Sequence, residues 1–228
     1  MSAGRRTPPP GGGHAAGSAT LAILPVKGFG RAKSRLRAAV PDGPRAGLAE
    51  AMVSDVLRAL RAVGGLDGVI VVTGEPAAAD LARGAGAEVV HDADEAGQSA
   101  AALLGIDRAV RRGAARVLLV PGDCPALDPG EVAELLTAPE DVVIVPDRHG
   151  TGTNALLLRP PRAITPAFGP GSRARHEAAA VAAGVRFTVC ELPSLGLDAD
   201  TPDDLAALRA SGRLGDHTSS TLGRLDVR

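Results

Sequence analysis

Two glycine-rich turns, Gly150-Thr151-Gly152-Thr153-Asn154 and Phe168-Gly169-Pro170-Gly171-Ser172, flank an apolar run, and the second opens onto a helical pattern. Glycine lets backbone N–H groups come close to a ligand, and Ser172 stands where a helix start presents unpaired donors, so the pair reads as an anion site. Three carboxylates read as its counterpart. Asp123 follows the apolar run RVLLV and Pro121-Gly122, which projects it from the C-terminal sheet edge, where α/β folds take their ligands. Asp128 already fits the cap of the next helix, which leaves Asp123 for a divalent ion. Asp198 and Asp200 alternate in an extended segment, so both carboxylates point to one face, and two hard oxygens on one side suit Mg2+. Thr201, Pro202 and Asp204 behind them form a helix start with a cap, a first-turn proline and an acidic N3 residue.

A basic cluster, Lys27, Arg31, Lys33 and Arg35, follows the strand-like run TLAILPV. It matches a triphosphate in size, and at the end of a first strand it can neutralise charge developing on a leaving pyrophosphate; the alternative is a solvated basic face. It is not a Walker A loop, because no Gly-Lys-Ser/Thr closes it. Gln98 and Ser99 open a helix after HDADEAG, and the Gln98 amide either reads a nucleobase or only starts the helix. Asp92, Asp94 and Glu95 read as a solvated loop. His91 and His149 lie apart from any cysteine at metal spacing and carry no assignment. His176, one turn into its helix, is placed to hydrogen-bond back to the preceding turn, while Arg173 and Arg175 are candidates for an anionic substrate.

The elements that must position these groups alternate. Strands TLAILPV, GVIVVTG, AEVVHD, RVLLVPGD and DVVIVPD are separated by helical patterns at 45–63, 76–84, 97–113 and 129–138. Continuous Val, Ile and Leu runs call for burial on both faces of a mostly parallel sheet. After Asp147 the pattern changes to strand NALLLR, helix 172–183, strand VRFTVCEL and helix 201–211, which predicts an antiparallel addition to the sheet. The division is a disordered leader at 1–18, one domain at 19–212 and a loose tail at 213–228.

Composition narrows the partners. A chain of 228 residues with 45% apolar content supports one well-buried domain. The formal net charge of -1 gives no general pull toward nucleic acid or anionic lipid, and three Phe with no Trp or Tyr leave no stacking platform for single strands. No apolar run approaches the roughly 18 residues of a membrane span, and the N-terminus lacks the apolar core of a signal peptide, so the cytoplasm is expected. Cys124 and Cys190 are expected to be reduced thiols. Oligomeric state stays open.

Taken together, VKGFGRAKSRL, VPGDCPAL, PDRHGTGTNAL, FGPGSRARH and LDADTPDDL resemble the 2-phospho-L-lactate guanylyltransferase family, in particular its actinobacterial phosphoenolpyruvate guanylyltransferase branch, which serves coenzyme F-420 biosynthesis. The similarity runs from Thr20 to about Leu208. It implies an α/β, Rossmann-like, glycosyltransferase-A-type nucleotidyltransferase fold with a mixed, mostly parallel sheet flanked by helices. It also implies that Asp123 and Asp198 hold Mg2+ with catalytic effect, Asp200 beside them. Thr153, Gly169 and Ser172 would bind phosphoenolpyruvate, largely through backbone groups, and the segment Lys27 to Arg35 would meet GTP, Lys27 acting in catalysis. At Gln98-Ser99 the chain departs from the family's usual Leu-Asn. The same transfer to 2-phospho-L-lactate or 3-phosphoglycerate remains open, as does a sugar-nucleotide glycosyltransferase. From another class comes a nucleotide-sensing module without turnover, against which the intact set of aspartates argues.

Overall fold

The computed structural model describes residues 19–30, 36, 40 and 42–225. The expected leader at 1–18 lies outside them. In chain order the elements are β1 (Thr20–Val26), α1 (Asp42–Ala62), β2 (Gly68–Thr73), α2 (Pro76–Gly84), β3 (Glu88–His91), α3 (Gln98–Arg111), β4 (Arg116–Leu119), α4 (Pro129–Leu135) and β5 (Val142–Pro146). They continue with β6 (Thr153–Leu158), α5 (Ser172–Ala183), β7 (Phe187–Val189), α6 (Pro202–Ser211) and α7 (Asp216–Arg224). The strands hydrogen-bond in the order β3-β2-β1-β4-β6-β5-β7. β6 alone runs against its neighbours, pairing antiparallel with β4 and β5, while the remaining pairs are parallel. This is the antiparallel addition the sequence predicts after Asp147. Its direction matters to the site, because the N-terminal residues of β6 stand at the edge where the parallel strands end.

Both faces of the sheet are covered, as the unbroken apolar runs require. Along β1, Ala22, Leu24 and Val26 face one core, which is completed by α1, α4, α6 and α7. Leu21 and Ile23 face the other, completed by α3 and α5. The stripe Leu48, Met52, Val56 and Leu60 of α1 is buried throughout. α3 packs on β1 so closely that a Cβ at Gly105 would overlap the Ile23 side chain. Asp128 caps α4 by accepting from the Gly130 and Glu131 N–H groups at 2.7 and 3.0 Å. Thr201 and Asp204 form a reciprocal capping box at α6. No helix among the described residues is long and apolar enough to cross a membrane. Cys124 and Cys190 are not joined in a disulfide, and the buried Cys124 thiol donates to Leu195 O at 3.6 Å.

The tail departs from the sequence reading. Residues 213–228 were expected to be loose, yet α7 packs along α1 with Thr218 and Leu222 buried. Its N-terminus is capped from another element: the Asp55 carboxylate on α1 accepts from the His217 and Thr218 N–H groups at 3.1 and 2.8 Å. The segment has too few apolar residues to announce a helix, and a distant carboxylate supplies what its own sequence lacks.

Candidate functional site

A cleft of about 740 Å³ opens at the C-terminal ends of the parallel strands. Lys27, Gln98, Asp123, Thr153, Gly169, Ser172, Asp198 and Asp200 all line it. Arg31, Lys33 and Arg35 lie outside the described residues. These eight candidates therefore meet in one cavity, although up to 173 positions separate them along the chain, from Lys27 to Asp200, whereas Arg173 and Arg175 do not line it.

The carboxylates form its acidic wall. Asp123, Asp198 and Asp200 are half-buried, and each offers an oxygen within 4.8 Å of the others'. Asp123 sits in the loop after β4, and Asp198 and Asp200 in the loop between β7 and α6. The Ala199 N–H, between the paired aspartates, donates to the Asp123 carbonyl at 3.1 Å and ties the two loops together. Asn154, the second residue of β6, donates from Nδ2 to Leu195 O at 2.8 Å and to Asp198 Oδ1 at 3.3 Å. Behind the loop, Arg148 pairs with the buried Asp204 at 2.7 Å. Burial alone would raise the Asp204 pKa, but the hydrogen bonds from Thr201 and the Arg148 charge outweigh it and hold the carboxyl below the usual range. Three hard oxygen donors converging on a half-open point match the preference of Mg2+, which binds through a few carboxylates and keeps part of its water shell.

The two glycine turns line the same cleft, and they are braced from behind. In the first turn, which joins β5 to β6, Asp147 accepts from the Gly150 N–H through its carbonyl at 2.9 Å and from the Thr151 N–H through Oδ1 at 3.0 Å. A Cβ at Gly152 would lie 2.5 Å from Asp147 Oδ2, so a larger residue there would push that carboxylate out of the turn it braces. In the second turn Gly169 has φ +108°, a conformation closed to other residues. Arg175 wraps this turn, donating to the carbonyls of Ala167, Phe168, Gly169 and Pro170. Arg173 donates to Gly150 O at 3.2 Å and to Glu177 at 2.8 Å. Both arginines, candidates for substrate contact in the sequence, are engaged in holding the turns. The Ser172 N–H donates to Gly169 O at 3.0 Å, so its hydroxyl is the donor that remains to it.

Sequence reasoning missed several supports. Ser99, at the start of α3, accepts from the Phe168 N–H at 2.9 Å and ties the second turn to α3. Asp92, expected in a solvated loop, is buried and caps the turn before α3 by accepting from the Glu95 N–H at 3.1 Å. Asn154 has no signal beyond its place after Thr153: neighbours on a strand face opposite ways, so β6 sends Thr153 toward α5 and Asn154 toward the aspartates. Lys27 is exposed at the end of β1, and Gln98 lines the cleft from the first turn of α3.

The mixed, mostly parallel sheet brings a carboxylate cluster and two glycine turns into one cleft, and its architecture is that of nucleotidyltransferases. A nucleotidyl transferase from Methanothermobacter shares the fold, with a TM-score of 0.62 at 22% identity over 86% of this chain and 98% of that one. Residues 20–227 match the guanylyl transferase CofC-like family, and the chain belongs to it. It is 50% identical over 214 residues, 90% of this chain and 96% of the relative, to the phosphoenolpyruvate guanylyltransferase of Conexibacter woesei. It is also 39% identical over 212 residues, 91% and 97% of the two chains, to the 3-phospho-D-glycerate guanylyltransferase of Phenylobacterium zucineum.

Proposed function

We propose that this enzyme transfers GMP from GTP to phosphoenolpyruvate in the cytoplasm, giving enolpyruvyl-2-diphospho-5'-guanosine and pyrophosphate for coenzyme F-420 biosynthesis. The observation that carries the reading is the convergence of Asp123, Asp198 and Asp200 within 4.8 Å in a cleft that the two glycine turns also line. A phosphate oxygen of the acid attacks the α-phosphorus of GTP. The new P–O bond forms as the bond to the β-phosphate bridge breaks, and the electron pair leaves with pyrophosphate. The attacking oxygen is already anionic at neutral pH, so no protein nucleophile or base is needed. The task is to hold two polyanions in line against their repulsion. Thr153, Gly169 and Ser172 hold the acceptor, Lys27 neutralises the departing pyrophosphate, and Gln98 faces the nucleotide. Asp123 and Asp198, with Asp200, hold Mg2+, which when bound neutralises phosphate oxygens as a Lewis acid.

The 39% identical relative keeps 3-phosphoglycerate in view as the acceptor, since it too carries a carboxylate and a phosphate; the 50% identical relative favours phosphoenolpyruvate. Incubation with GTP, Mg2+ and each of phosphoenolpyruvate, 3-phosphoglycerate and 2-phospho-L-lactate, read by mass spectrometry and pyrophosphate release, decides between them. Phosphoenolpyruvate is expected to give the guanylylated product fastest. Tight GTP binding with no pyrophosphate from any acid would make the chain a nucleotide sensor instead.

A further inference from the structure

His176 is fully buried one turn into α5, and it touches both the second glycine turn and the first residue of β6. The Ala167 N–H donates to its Nε2 at 2.9 Å, so that nitrogen carries no proton and the neutral ring must carry it on Nδ1. Nδ1 lies 3.0 Å from Thr153 Oγ1. The opposite tautomer would set two N–H donors against each other at Nε2. Burial, with a smaller contribution from the Arg175 charge, lowers the pKa of the ring to about 4, which keeps it neutral at physiological pH. The Thr153 hydroxyl therefore accepts from His176, and its own proton must go elsewhere. Among the described residues Oγ1 has no second hydrogen-bond partner, and Thr153 lines the cleft.

We propose that His176 is a positioning residue that fixes the Thr153 hydroxyl as a donor toward an anionic oxygen of the acceptor acid. The inference rests on the acceptor site lying at the glycine turns, and it adds to that site a side-chain donor whose polarity is set from outside the cleft. A carbonyl partner at Nδ1's place would let the hydroxyl donate backward. Histidine, pinned by Ala167, forces it forward. The phosphate or carboxylate of the acid then meets a hydroxyl already turned to donate.

The test is a double-mutant cycle on the full chain. His176→Gln keeps an acceptor within reach of the Ala167 N–H but withdraws the donor from Thr153, Thr153→Val removes the hydroxyl, and the third variant combines both. Affinity for phosphoenolpyruvate is measured by titration calorimetry, with inorganic phosphate as a second probe, and the KM for GTP is followed in parallel. Each single variant is expected to bind the anion at least about tenfold more weakly, the double variant no more weakly than Thr153→Val, and the KM for GTP to stay within about twofold. His176→Asn, whose Nδ2 replaces the Nδ1 donor, should restore most of the affinity. Losses that add in the double variant, or wild-type affinity in Thr153→Val, would overturn the proposal. The Thr153→Val result stands even if His176→Gln fails to fold. Absence of product from wild type, with the same affinity pattern toward inorganic phosphate, would sink the transfer reaction and leave the role of His176 intact.

Discussion

Asp123 and Asp198 lie 75 positions apart in the sequence, yet their oxygens stand within 4.8 Å. Their contribution is charge at one point, which amide replacement removes without changing shape. Asp123→Asn should lower turnover at least about 10³-fold while leaving the far-UV circular dichroism spectrum unchanged; near-wild-type pyrophosphate release would remove Asp123 from the site. His176 makes a prediction in pH. Its folded-state pKa of about 4 lies below the ordinary 6.5, so the unfolded chain takes up the proton first as pH falls. The stability tied to the neutral ring is fully present above about pH 6.5 and declines toward pH 4, by up to about 3 kcal/mol. Denaturant titration of wild type against His176→Asn should show that loss between pH 7 and 4.5 in wild type only. At this scale the aspartates were legible because Asp128 and Asp204 already accounted for the neighbouring helix caps. Asn154, Ser99 and Asp92 were not, because a short polar side chain fits a cap, a turn or a site equally well until its partner is known.

Elements act on the site by fixing where loops begin. The capping box at α6 sets the end of the Asp198–Asp200 loop, and the Arg148 pair with Asp204 ties that loop to the first glycine turn. Thr201→Ala removes one half of the box and should cost about 1 kcal/mol in chemical unfolding. A larger fall in turnover than in stability would place the cap in control of the aspartates' geometry. The strands and the six helices up to α6 were legible from period and capping signals, with boundaries displaced by a few residues. α7 was not, since the Asp55 carboxylate and the α1 surface that stabilise it belong to a segment more than 150 residues away.

For the whole molecule, the cleft combines an acidic wall, two braced glycine turns and, at the end of β1, Lys27. The acidic wall is braced by the Ala199 N–H on the Asp123 carbonyl and by the Asn154 amide on Asp198. A cation that binds these three carboxylate oxygens only in the folded state stabilises that state by mass action. Mg2+ at millimolar concentration should therefore raise the melting temperature of wild type by a few degrees and that of Asp123→Asn by less, while chelation should stop turnover without unfolding the chain. A chelated sample that loses its circular dichroism signal would show instead that the ion builds the wall.

Sequence alone determined what depends on local order. Apolar runs dictated a doubly covered sheet, glycine and proline placed the turns, and the motifs around Asp123, Thr153, Ser172 and Asp198 carried the family resemblance. Tertiary structure alone decided which groups look into the cleft and which hold it from behind. Arg173 and Arg175 carry the charge of substrate ligands and brace the turns, while His176 and Asn154, on α5 and β6, orient a hydroxyl and a carboxylate they never adjoin in sequence. The reason is that a hydrogen bond is a relation between two positions in space, and a residue's type fixes only its own half of it.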